Sequence, residues 1–155
     1  MLKFRKATLE DSKLYFNWVN DPSVREQSYH SSRIDFTDHN KWFESKLKDD
    51  SCMMLIFQNE ENLNIGQIRI QKENKNEALI GISISVEHRG KSYAKEMLKI
   101  ASNRFLKSNP EFRINAYIKE KNSNSKYAFE KAGFEFENKK IYENFQSFHY
   151  VKKLK

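Results

Sequence analysis

The chain is poor in the residues that usually punctuate or staple a fold. It has one cysteine, Cys52, so no disulfide can form within it, and nothing points to an oxidising compartment. One cysteine and 4 histidines, none at ligand spacing, predict no metal site. Only 4 glycines and 2 prolines occur, so turns must come mainly from Asn, Asp and Ser clusters. Long apolar runs are absent. The longest, Met53-Met54-Leu55-Ile56-Phe57, is far too short to span a membrane. Met1-Leu2-Lys3-Phe4-Arg5-Lys6 lacks the apolar run of a signal peptide, so the expected location is the cytoplasm.

Aromatic mass is plentiful. With 12 Phe and 7 Tyr in 155 residues, the composition predicts a packed globule, one domain over 1–155. Lys and Arg exceed Asp and Glu by 28 − 21 = 7 charges. Such a balance suits anionic partners, nucleic acid or phosphate-bearing cofactors. Because the lysines are interleaved with acids, a solvated Lys-rich surface is the preferred reading. Only the tail, Val151-Lys152-Lys153-Leu154-Lys155, is purely basic.

Periodicity gives the order β α α β β β α β α β β, an α+β fold with a mixed sheet. A strand over 4–7 precedes a helix that Thr8 caps, with Asp11 three residues on. Pro22 stops that helix, and 24–32 reads as a loop. Thr37 caps a second helix to about Leu47, with Trp42 and Phe43 on one face. Strands follow over 53–57, 65–70 and 79–86. A long helix over 91–106 buries Ala94, Met97, Leu98, Ala101 and Phe105. A strand over 113–118 leads to a helix over 123–132, which Gly133 terminates. Two last strands, 134–137 and 148–151, follow, with 140–145 between them.

One segment carries the chemistry: Ile84-Ser85-Val86-Glu87-His88-Arg89-Gly90-Lys91-Ser92-Tyr93-Ala94. A buried strand ends and a helix begins across a turn of small residues. Backbone N–H groups and a helix N-terminus there suit a bulky anion such as a pyrophosphate, with Arg89 and Lys91 adding charge. An ordinary βα turn reads the same way from this segment alone. Asn122-Ser123-Asn124-Ser125-Lys126-Tyr127-Ala128-Phe129-Glu130-Lys131-Ala132-Gly133-Phe134, taken alone, is a capped structural helix with a glycine stop.

Together, and in this order, the two segments resemble the GNAT acetyltransferase superfamily. Arg89, Ser92 and Ala94 match its first signature, Arg or Gln, two residues, Gly, one residue, then Gly or Ala. Asn122, Ser125, Phe129, Lys131, Gly133 and Phe134 resemble its second. The resemblance implies a mostly antiparallel sheet of six to seven strands, about four helices and a splayed parallel pair. It implies acetyl-CoA as co-substrate and no metal. Ile84, Ser85 and Val86 would meet the pantetheine, and the amides of Arg89, Gly90, Lys91, Ser92, Tyr93 and Ala94 the pyrophosphate. Asn122, Ser125, Phe129 and Lys131 would lie on its other side. The N–H near Val86 would polarise the thioester carbonyl.

Two departures matter. Serine stands in place of that signature's glycine at Ser92, but it still presents an N–H. Phe129 stands where many relatives have a tyrosine that protonates the leaving thiolate. Water, Tyr127 or another tyrosine would have to serve, or the thiolate leaves unassisted. The 79–86 strand carries no carboxylate base.

The N-terminal half resembles the GNAT branch that acetylates nucleotide-linked amino sugars of pseudaminic-acid-type surface-glycan pathways. Physically, Arg25 and Arg69 would hold a diphosphate, and Trp42, Phe43 or Tyr29 would stack on a base or sugar face. His39 is carried as substrate contact or base, although a His in a first helical turn is more often exposed or hydrogen-bonded. Alternatives are a ribosomal-protein or peptide N-terminal acetyltransferase, or a catalytically weak CoA-binding module. A nucleic-acid binder rests on charge alone. The expected partners are acetyl-CoA and a small amine, without nucleic acid or membrane, in a monomer or homodimer.

Overall fold

A computed structural model describes residues 2–29 and 32–154. Met1, Lys155 of the basic tail, and His30 and Ser31 of the expected loop lie outside the described residues. The strands are β1 (Lys3–Lys6), β2 (Cys52–Gln58), β3 (Asn64–Lys72), β4 (Glu77–Ile84), β5 (Arg113–Lys119), β6 (Glu135–Tyr142) and β7 (Phe145–Lys153). The helices are α1 (Ser12–Val19), α2 (Pro22–Gln27), α3 (Phe36–Leu47), α4 (Tyr93–Ser108) and α5 (Ser123–Lys131). One seven-stranded sheet runs β1-β2-β3-β4-β5-β7-β6. Its neighbours are antiparallel except β4 and β5. Among the described residues no helix is long and apolar enough to cross a membrane.

Alternation along the strands divides the apolar side chains between two layers. Leu55, Phe57, Ile68 and Ile70 join Met97, Leu98, Ala101 and Phe105 of α4 and Phe129 of α5 in the larger core. The expected stripe of α4 is therefore the buried one, while Lys91, Lys95 and Lys99 are exposed. On the opposite face Met54 and Ile56 meet Tyr15 and Trp18 of α1 and Phe43 of α3.

Four local expectations need correction. The first helix opens with a 3-10 turn, Leu9–Asp11, before α1. Asp11 accepts from the Thr8 N–H at 2.8 Å and pairs with Arg5 at 2.8 and 2.9 Å. Pro22 does not only end a helix, since it also begins one. Its ring fixes φ and lacks an N–H, which suits the first helical position, and the Asp21 carboxylate caps α2 at Ser23 N–H, 2.9 Å. Asp35, not Thr37, caps α3, accepting from the N–H groups of Thr37 and Asp38. Residues 140–145, expected between the last two strands, belong to them and close a tight hairpin. Only Glu143 and Asn144 leave the ladder, with φ of 47° and 71°. Two residues in the left-handed region form the turn that follows sheet twist.

Gly133 does stop α5 as expected, at φ 97°. Gly66 is needed for another reason. A Cβ there would lie 2.5 Å from the Ser83 carbonyl oxygen and 3.0 Å from Met97 Cε. Gly66 pairs with Ile84, the last residue of β4. Gly66→Ala must therefore displace backbone at the end of β4. Overpacking of this kind costs about 1–3 kcal/mol. Urea unfolding should show a loss in that range at unchanged m-value, and a neutral effect would contradict the close approach.

Candidate functional site

The parallel pair is short. β4 and β5 pair only at Glu77↔Arg113, Ala78↔Ile114 and Leu79↔Asn115. Beyond that apex each strand keeps its other neighbour. β4 follows β3 to Ile84↔Gly66, and β5 follows β7 to Lys119↔Ser147. Among the described residues, the β5-facing edge of β4 beyond Leu79 thus has no strand partner.

Side chains pin the apex. Glu77 accepts from Arg113 Nε at 3.1 Å and from Asn115 Nδ2 at 3.0 Å. Asn115 Nδ2 also donates to the Ala78 carbonyl at 3.3 Å. Its Oδ1 is therefore left to accept from His149 Nε2 at 2.8 Å, which fixes the proton on that ring nitrogen.

β4 ends when Ser85 N–H donates to the Ile65 carbonyl at 2.8 Å. Val86, expected on the strand, instead starts a 3-10 turn, Val86–His88, and its side chain is 56% exposed. Ser85 Oγ and His88 Nδ1 brace this turn at 2.6 Å. Gly90 and Ser92 follow at φ 75° and 64°. Among the described residues, no acceptor meets the N–H groups of Val86, Gly90, Lys91, Ser92, Tyr93 or Ala94. These amides stand at the N-terminus of the 16-residue helix α4. A row of free amides on a helix dipole fits a pyrophosphate. Ser92 holds the left-handed conformation at a cost of roughly 1–2 kcal/mol that glycine would not incur.

The side chains around this backbone are placed less uniformly than the motif suggests. Arg89 turns away from the amides. Its Nε donates to the Ile84 carbonyl at 3.1 Å, Nη1 donates to Ser23 Oγ, and Nη2 lies 3.7 Å from Asp21 Oδ1. Lys91 is exposed. Asn122 caps α5, accepting from Ser125 N–H at 3.2 Å. Phe129 is 4% exposed and packs edge-on against Phe134, with centroids 5.0 Å apart. Tyr127 is 58% exposed, two residues away on the helix, and its ring lies 5.3 Å from Lys131 Nζ.

The residues expected around an acceptor fall into different neighbourhoods. His39 is buried in the α1–α3 seam. Its Nε2 is 3.0 Å from the Ser12 carbonyl and its ring stacks on Phe43. Trp42 lies over the Arg69 guanidinium, 5.0 Å from ring centroid to carbon. Burial lowers the Arg69 pKa, partly offset by Cys52 and Tyr15. Arg25 bonds within its own segment, to Ser28 Oγ at 2.9 Å and the Ser32 carbonyl at 3.2 Å. Tyr29 reaches the far strands, its hydroxyl 2.6 Å from Ser147 Oγ.

A cleft of about 330 Å³ beside the end of β4 is lined instead by Asn17, Trp18, Asp21, Asn64, the turn from Ile84 to Glu87, and Arg89. Asp21, Glu87 and the two asparagines are the polar groups that sequence reasoning missed. Asn20-Asp21-Pro22 reads only as a helix stop, and Glu87 as part of a phosphate turn. Hydrogen bonds from Ser23, then the Arg89 charge, hold the Asp21 carboxyl below its usual range. Among the described residues no group of three or more His, Cys, Asp or Glu gathers to hold a metal.

The family model described as Acetyltransferase (GNAT) domain matches residues 1–135. An aminoglycoside acetyltransferase solved with coenzyme A and kanamycin superposes with a TM-score of 0.82 at 18% identity, over 99% of this chain and 95% of that one. A spermidine N-acetyltransferase from Vibrio cholerae, solved with CoA and spermine, gives 0.85 at 16% identity, over 97% and 93%. At such identities the likeness is one of fold. No curated protein matches in sequence.

Burial lowers the pKa of both His39 and His149 from the ordinary 6.5, and Arg113 and Lys140 push His149 the same way. Below about pH 6.5 the unfolded chain then takes up protons that the native one refuses, so stability must fall as pH falls. The denaturant midpoint should drop between pH 7.5 and 5.5, and a His39→Gln/His149→Gln double variant should show a shallower slope. An equal slope in the double variant would contradict the assignment.

Proposed function

The chain belongs to the GNAT acetyltransferase family, and from that premise we propose that it transfers the acetyl group of acetyl-CoA directly to a primary amine on a small cationic acceptor. The observation that carries this reading is the combination of the unpaired β4 edge with the free amides before α4. An extended pantetheine can pair with that edge as an added strand would, and the amides can hold its pyrophosphate.

The chain's own groups suffice for positioning. The amine nitrogen attacks the thioester carbonyl, an amide forms, the C–S bond breaks, and the amine loses one proton while the thiolate gains one. The Val86 N–H, free of any acceptor among the described residues, is the group for the carbonyl oxygen. β4 beyond the apex carries no carboxylate, and the carboxylates beside its end are Asp21 and Glu87, so the amine proton leaves to one of these or to water. Phe129 carries no proton for the thiolate, and Tyr127 points to the other side of α5. Orientation then carries most of the rate.

Charge decides among acceptors. A nucleotide diphosphate would need Arg25 and Arg69, but Arg25 is spent on its own segment and Arg69 on Trp42. At the end of β4 Asp21 is already paired with Arg89, and Glu87 is the carboxylate that favours an ammonium there instead. The two solved relatives, with kanamycin and with spermine, agree with that preference. A peptide N-terminus also brings an ammonium, and a cleft of about 330 Å³ favours a small amine over it.

Acetyl-CoA at a hundred times its Kd should stabilise the protein by ~2.7 kcal/mol, read as a rise in melting temperature. Ser92→Glu should abolish the rise by placing a carboxylate beside the phosphates, and Ser92→Gly should keep or increase it. Absence of any rise in the parent protein at millimolar acetyl-CoA would end the cofactor assignment. In a CoA-release assay, a polyamine or aminoglycoside should turn over faster than a nucleotide-linked amino sugar. The reverse order would return the acceptor to the sugar class.

A further inference from the structure

The excursion of residues 20–29 leaves the end of α1, to which Ile34 is tied back. The Asn20 side chain clamps the base, donating to the Ile34 carbonyl and accepting from the Ile34 N–H, each at 2.8 Å. Helix α2 lies within it, and none of its residues is buried. It touches α1, and polar tethers hold its two ends.

The first tether is on the cofactor loop. Ser23 Oγ donates to Asp21 Oδ1 and accepts from Arg89 Nη1, while Arg89 Nε holds the Ile84 carbonyl at 3.1 Å. The second is at the end of β5. Lys119 Nζ donates to the Glu26 carbonyl at 3.0 Å, and Tyr29 hydroxyl meets Ser147 Oγ at 2.6 Å. Ile84 ends β4 and Lys119 ends β5, the two strands that part after Leu79. The excursion thus spans the open end of the splay, from one strand to the other, and Asp21 on it lines the cleft at Val86.

We infer that Arg89 is a positioning residue that couples the cofactor loop to this strap, so that bound acetyl-CoA fixes the acceptor wall. The inference rests on the acetyltransferase reading above. Arg89 directly precedes Gly90, the first free amide after the 3-10 turn, so holding the amides of residues 90–94 fixes the point from which its side chain departs. A ligand that orders the loop then favours the strap arrangement in which Ser23 and Asp21 are engaged. The two tether side chains are partly solvated, 35% for Arg89 and 27% for Asp21, so the contact is weak enough to open without ligand.

The test compares wild type, Arg89→Gln and Ser23→Ala. Ser23→Ala breaks the tether from the strap side and leaves the cofactor loop intact. Acetyl-CoA affinity is read by calorimetry, KM for an amine acceptor by CoA release, and backbone exchange by deuterium uptake. Wild type should show slower exchange over residues 22–29 when acetyl-CoA is bound. Both variants should lose that slowing and raise the amine KM about tenfold, with acetyl-CoA Kd within about threefold of wild type. Two results would overturn the coupling: exchange over 22–29 that ignores acetyl-CoA in wild type, or an Arg89→Gln variant whose Kd rises more than tenfold at unchanged amine KM. The second would make Arg89 a phosphate contact. If wild type binds no acetyl-CoA, the acetyltransferase reading itself fails, and the coupling with it.

Discussion

Three registers of parallel pairing between β4 and β5 are the constraint on which the rest depends. If the pair continued, β4 would have both edges filled and no room for an extended ligand. Beyond it each strand stays with its antiparallel neighbour on the other side to its last residue, and the two edges that face the splay part. The apex stays closed because Glu77, Arg113, Asn115 and His149 form one hydrogen-bonded chain across it. Every donor and acceptor in that chain has one workable role, so the network sets the geometry as well as adding stability.

From that fork the site assembles outward. The end of β4 is pressed against Gly66, which lets the two backbones approach. The turn after it places free amides at the start of α4, whose apolar stripe anchors it to the sheet. The charge pattern suits both substrates. A net charge of +7 attracts an anionic cofactor over long range. Glu87 acts only locally, where an ammonium would dock. Even the basic tail is partly structural, since Lys152 donates to Ser102 Oγ, Asn103 Oδ1 and the Ala132 carbonyl at the end of α5.

What could be read in the sequence was what local rules determine. Strict alternation gave β3 and β4, helical spacing gave the stripe of α4, and Gly133 gave the stop of α5. The strand–turn–helix around Arg89 was legible only together with the segment 122–134, because an ordinary βα turn reads the same way. The acceptor side was not, because its residues are brought together by contacts far apart in sequence. Ser23 meets Arg89 across 66 residues, and Tyr29 meets Ser147 across 118. Residue type misled as well. Arg25, Arg69 and His39 look like binding groups, yet each is engaged in packing or in bonds to its own segment or seam. Asp21 and Asn20 looked like a helix stop, and the one is a cap and cleft wall, the other a clamp.

The central claim is that the forked β4 edge and the amides before α4 together receive acetyl-CoA. Backbone amide NMR during an acetyl-CoA titration tests it most directly. The largest shift changes should fall over residues 80–94, with the amides of Gly90 to Ala94 moving downfield as they gain acceptors. Changes concentrated in the α1–α3 seam, or on the outer strands β6 and β7, with 80–94 unmoved, would contradict it.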